Sequence, residues 1–181
     1  MFLPTTRREM DKLGWDHADI ILVTGDSYID SPFIGIALIG KVLQRAGYRV
    51  GIVAQPETQS GRDISRLGEP RLFWGVSAGS IDSMVANYTA LKKKRRTDDY
   101  TPGGINNRRP DRAAIFYSNL IRRYFKNTRP IVLGGLEASQ LVAVDRVAGA
   151  ETFRLRNTNI VVTLESPLEV QAMCSLGLLL P

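Results

Sequence analysis

The stretch Asp19-Ile20-Ile21-Leu22-Val23-Thr24-Gly25-Asp26 decides the fold. Its apolar centre has no polar alternation, which is how a strand buried on both faces of a parallel sheet reads. Three further runs share that form: residues 49–54, ended by Gln55-Pro56; residues 71–76, followed by Ser77-Ala78-Gly79-Ser80; and residues 130–133, closing on Gly134-Gly135. The segments between them carry helical periods. Ile36, Ile39, Val42, Leu43 and Ala46 recur at three- and four-residue steps, with Gly47 as a stop. Ser80 and Asp82 offer caps to a helix carrying Met84, Val85 and Tyr88. Residues 114–125 place Ile115, Leu120, Ile121 and Tyr124 on one face. Strands and helices in this alternation predict an α/β fold, an open and mainly parallel sheet with flanking helices and right-handed crossovers.

In such a sheet ligands bind outside the carboxyl ends of the strands. The residues falling there are Thr24, Gly25 and Asp26; Gln55 and Pro56; Ser77, Gly79 and Ser80; and Gly134, Gly135 and Glu137. Glycine permits close approach to the backbone, and helix-starting amides hold anions. The same residue types also serve plain chain reversal, so the set marks where a ligand would lie and not which one.

The chain has 181 residues, 24 Lys+Arg against 18 Asp+Glu, and a formal charge of +6. That charge is concentrated: residues 92–129 hold 12 basic and 3 acidic side chains, a net of +9. The densest positions are Lys92, Lys93, Lys94, Arg95 and Arg96, then Arg108, Arg109 and Arg112, separated by the turn-rich residues 97–107. A basic loop of this kind can bind a phosphate-bearing ligand or nucleic acid, dock on an acidic surface, or simply be solvated. Aromatic residues do not interleave the cations as single-strand binders prefer. One cysteine, Cys174, precludes an internal disulfide and points to a cytoplasmic setting. It also leaves no set of three or four thiolates for a metal or iron–sulfur site, so no metal-binding residue is assigned. No apolar run reaches the roughly 20 residues of a membrane span.

Motif by motif, several kinds of enzyme drop out. There is no phosphate-cradling P-loop, and no G-x-G-x-x-G follows the first strand. Gly75-Val76-Ser77-Ala78-Gly79 fits the G-x-S-x-G elbow letter for letter, but the single histidine, His17, lies upstream where a hydrolase needs it downstream. Asp30-Ser31-Pro32-Phe33-Ile34-Gly35 compares with the D-x-H-x-x-G of cobalamin-binding domains. Asp30 and Gly35 match, and Pro32 stands in place of the cobalt-ligating histidine. The expected sheet is thus flavodoxin-like or cobalamin-binding-like, with cobalamin itself poorly supported.

The segments Phe2-Leu3-Pro4-Thr5-Thr6-Arg7, Gly14-Trp15-Asp16, residues 19–26, residues 35–40, residues 52–56, Asp82-Ser83-Met84-Val85, Tyr100-Thr101-Pro102-Gly103-Gly104, Arg109-Pro110-Asp111-Arg112 and residues 133–139 occur in one order. That order resembles the amino-terminal region of YgiQ-type radical SAM proteins over residues 2–139. The resemblance implies an α/β domain at 1–139 that precedes and partners a radical SAM barrel. It also implies a [4Fe–4S] cluster and S-adenosylmethionine held by that barrel, with no cofactor expected on this chain, and an unassigned substrate. Residues 140–181 do not resemble the family. Within them residues 159–164 read as a strand, Ser166 opens a helix, and residues 176–181 form an apolar end. The expectation is a divergent tail, the product of truncation or of a frameshift after Ser139.

Overall fold

The computed structural model describes residues 2–147, 150–155 and 161–164, with side-chain detail over 2–138. Its main sheet has four parallel strands in the order β2-β1-β3-β4. These are β1 (Ile20–Thr24), β2 (Val50–Ala54), β3 (Phe73–Ser77) and β4 (Ile131–Gly134). In register Leu22 lies between Ile52 and Gly75, and Gly75 pairs with Val132. The helices are α1 (Arg7–Lys12), α2 (Gly35–Arg45), α3 (Arg62–Ser65), α4 (Ser83–Asn87), α5 (Ala113–Tyr124) and α6 (Leu136–Leu141). The expected α/β architecture with a parallel sheet is what forms. A second, antiparallel sheet has the order β5-β6-β7, from β5 (Val142–Val147), β6 (Ala150–Leu155) and β7 (Val161–Leu164). The last four residues of the strand expected at 159–164 are β7; the helix expected from Ser166, residues 176–181 and Cys174 lie outside the described residues.

The local chemistry explains the elements. Helix α1 is an addition to the sequence expectation, and Thr6 and Glu9 form its full capping box: Thr6 Oγ1 accepts from the Glu9 N–H, and Glu9 accepts from the Thr6 N–H. Those contacts, led by the Thr5 N–H, hold the Glu9 carboxyl below its ordinary pKa. Helix α2 closes at Ala46, and Gly47 follows with φ 94°, where a Cβ would be strained. Asp82 caps α4 through the Met84 and Val85 N–H groups. The α4 face differs from the expectation: Ser83, Ala86 and Asn87 are buried, and Met84 and Val85 are exposed.

The two faces of the sheet are covered unequally. On the first, Ile21, Val23, Val53, Trp74, Val76 and Ile131 pack with Met10 of α1, Ile64 of α3 and Tyr117, Leu120 and Ile121 of α5. On the second, Ile20, Leu22, Val50 and Ile52 pack with Ile36 and Leu43 of α2 and with Leu3. The apolar runs predict burial on both faces for every strand. That holds for all five residues of β1 and the first four of β2, but β3 alternates between buried and half-buried residues. The reason is coverage: α2 packs on β1 and β2, and the second-face cluster takes in only half-buried Phe73 from β3 and no residue of β4.

Candidate functional site

The strand ends converge as the parallel sheet predicts. Thr24 and Asp26 at the end of β1, Ser77, Gly79 and Ser80 at the end of β3, and Gly134 and Gly135 at the end of β4 line one cavity of about 320 Å³. Gly35 and Ile36 at the start of α2 close one wall, and Phe33 stands at the mouth, 92% exposed. The cavity opens where the strand order reverses between β1 and β3, the position at which open α/β sheets place their ligands. Most of its lining is aliphatic or aromatic: Leu22, Ile36, Ile39, Leu43, Phe73 and Val132. Gly135 adopts φ 89°, and a Cβ there would approach Ser77 Oγ to 2.9 Å.

Beside this cavity lies a buried polar knot. Arg109 Nη2 donates to Asp26 Oδ1 at 2.8 Å, Nη1 donates to the Ala78 carbonyl at 2.7 Å, and Nε donates to Asp98 Oδ2 at 3.3 Å. The guanidinium has no solvent exposure, and both carboxylates are buried. The Ser80 N–H donates to Asp26 Oδ2, and Thr101 Oγ1 donates to Asp98 Oδ2. Gln55 Nε2 donates to the Gly25 carbonyl and to Thr101 Oγ1, drawing the long loop onto the β1 and β2 ends. Burial works against the Arg109 charge, and the Asp26 and Asp98 carboxylates outweigh it, so its pKa rises. Burial likewise opposes ionisation of Asp98, but the Thr101 hydroxyl, the Tyr100 N–H and Arg109 bring its carboxyl below the usual range. A Cβ at Gly25 would collide with the Ala78 carbonyl, and one at Gly79 with Asp26. These two glycines serve the knot.

Several candidates therefore hold structure together. Glu137 is buried and accepts from the Ser83 N–H at 2.9 Å and the Ala114 N–H at 2.8 Å, so one carboxylate meets the amino ends of α4 and α5. Asp30 turns from the cavity to Lys41 at 3.3 Å and to the Tyr28 hydroxyl, so of the D-x-P-x-x-G pattern Gly35 lines the cavity and Asp30 does not. Ser77 Oγ accepts from the Gly79 N–H, and His17 sits at the opposite, amino end of the strands against Asp16. No hydrolase arrangement is assembled among the described residues. Asp98 and Thr101 are absent from the sequence-based candidates, although Asp98 Oδ1 accepting from the Tyr100 N–H is an Asx turn that Asp98-Asp99-Tyr100 advertises.

The basic block divides in two. Arg109 belongs to the knot, whereas Lys92, Lys93, Lys94, Arg95, Arg96, Arg108 and Arg112 are exposed and form no ion pair among the described residues. Arg95 Nε donates to the Val85 and Tyr88 carbonyls, and Arg112 begins α5 with φ 51°. Asp111 is taken by Asn87 and by the Tyr88 hydroxyl. No group of three or more His, Cys, Asp or Glu suited to a metal occurs among the described residues. A cluster needing three or four thiolates does not fit a chain with one cysteine.

Residues 2–145 match the radical SAM N-terminal family. A UPF0313 protein of Thermotoga maritima is 66% identical over 139 residues, 77% of this chain and 24% of that protein. UPF0313 proteins of Fusobacterium nucleatum and Pseudomonas aeruginosa are 58% and 55% identical, each over 76% of this chain and over 24% and 18% of their own lengths. The chain thus spans about a quarter or less of the curated relatives it matches. No solved structure matches.

Proposed function

This chain belongs to the radical SAM N-terminal family, and from that premise we propose that it is a non-catalytic scaffold whose partner is a radical SAM barrel. In this reading the barrel lies in the part of the relatives that the chain does not span, and it carries both the [4Fe–4S] cluster and S-adenosylmethionine. The observation that carries the proposal is the pairing of a family match over 2–145 with one cysteine in 181 residues. The domain's own contribution is then to bind and position, through the strand-end cavity and the pinned loop. Anaerobic reconstitution with iron and sulfide tests it. The isolated chain is expected to retain no cluster absorption after desalting, whereas the full-length Thermotoga maritima relative retains it. A stable cluster on the isolated chain overturns the assignment, because such clusters are held by several cysteine thiolates and this chain has one.

A second reading assigns the exposed cations to a phosphate-bearing ligand or nucleic acid. What favours it is that two of the block's three acids, Asp98 and Asp111, are engaged internally, and Lys92, Lys93, Lys94 and Arg96 form no ion pair among the described residues, exposed Asp99 included. Binding of a generic oligonucleotide is then expected to fall steeply as salt rises, since each phosphate contact releases counterions. A flat salt response rejects it.

A further inference from the structure

Among the described residues, the cluster on the second face of the main sheet covers β1 and β2 and takes in only Phe73 from β3 and β4, and the remainder of that face is shaped. The cavity at the strand ends is a trough beside α2. Leu22, Gly75 and Val132 form its floor, and Phe73 its lower end. Ile36, Ile39 and Leu43 face it from α2 at steps of three and four, which is one stripe of a helix. Phe33 and Leu136 stand at its rim, 92% and 59% exposed. The trough follows α2, whose 11 residues make about 16 Å of helix at 1.5 Å per residue.

The sheet is unfinished on the same side. The outer edge of β2 is met by the amino-terminal segment, where the Ile52 N–H donates to the Pro4 carbonyl at 2.9 Å. The outer edge of β4 pairs with no strand among the described residues. Chain direction adds a third observation. The matched segment runs on past β4, through α6 and into β5 at residue 145, and Leu136, the first residue of α6, is part of the trough's rim. The relatives extend well beyond it, since the match covers 24% of the Thermotoga maritima protein. Polypeptide continuing beyond α6 therefore starts within a short reach of Leu136 and the trough, at high effective concentration.

We infer that the trough between α2 and the β3–β4 face is a docking site for an amphipathic helix from the polypeptide that follows the matched segment in the family. This rests on reading the chain as the leading domain of a longer protein. The occupant lies alongside α2 and presents apolar side chains to half-buried Ile39 and Val132 and to the exposed rim residues Phe33 and Leu136. Leu22 folds over Gly75, where a Cβ would approach its Cδ2 to 2.6 Å, so the incoming helix meets that side chain and not bare backbone.

Hydrogen exchange compares this chain with the full-length Thermotoga maritima relative, reading residues 33–43, 71–77 and 129–136 against residues 113–124 on the opposite face. The trough segments are expected to exchange at least about tenfold more slowly in the longer protein, with residues 113–124 little changed. A chimera carrying residues 1–139 of this chain before the relative's continuation then receives Phe33→Asp and Leu136→Asp. Both sites are exposed here, so the sheet survives, and the gained protection is expected to fall. Equal exchange in the two unaltered proteins overturns the inference. So does protection in the chimera that ignores the rim substitutions, or protection in this chain alone that rises with concentration as it dimerises, which would give the trough to a second copy. Iron content of the relative is measured on the same sample. A relative without a cluster refutes the radical SAM reading and leaves the exchange result to judge the docking site alone.

Discussion

Arg109 is the residue on which the loop depends. Its guanidinium neutralises two buried carboxylates and satisfies the Ala78 carbonyl, so its loss strands Asp26 and Asp98 without a counter-charge. Breaking one partner of a buried pair costs roughly 3–5 kcal/mol, and Arg109→Met is expected to lower stability by that amount in urea melts. Adding Asp26→Asn to that variant is expected to recover part of the loss, which a double-mutant cycle would register as coupling. In the sequence Arg109 is one basic residue among 12 in the block, and nothing local separates it from Arg108. The distinction is tertiary, because its partner Asp26 lies 83 positions away. The strand-end residues are legible for a different reason: a parallel strand must release its chain at its carboxyl end, and the turn chemistry of Thr24-Gly25-Asp26 and Gly134-Gly135 shows where.

Strands and long helices are the most legible elements, since unbroken apolar runs and a 3.6-residue period leave little choice. Coverage is not legible in this way. The run at residues 71–76 resembles the run at 20–23, yet only the latter is buried throughout, because α2 packs on β1 and β2. Glu137 shows the same limit among the helices. It lies in a short segment after β4, and its partners Ser83 and Ala114 come from two other elements. Glu137→Ala removes one acceptor from each of two buried helix starts. With each unsatisfied buried group costing about 1–3 kcal/mol, thermal melting is expected to show a loss of that order or more. Exchange at the first turns of α4 and α5 is expected to rise together, and an effect confined to one of them would rule out the shared cap.

For the molecule as a whole, the +6 charge describes an uneven object: an ordinary α/β body carrying a pinned loop with its cations turned outward. Among the described residues no helix is long and apolar enough to cross a membrane. The pinning has a kinetic side. The ion pair between Asp26 and Arg109 closes a span of 83 residues, and the sheet that buries it is itself built from non-local parallel pairings. Loop-closure entropy favours the β1–β2 and β1–β3 pairings first, so the loop is expected to be clasped last, which the kinetics below test. An interaction absent from the transition state sets the rate of escape from the native state and leaves the rate of arrival alone. In a chevron for Arg109→Met the refolding limb should overlay the parent's, with the whole deficit in the unfolding limb. The clasp acts as a ratchet on the finished fold, and the lifetime of the native state depends on it.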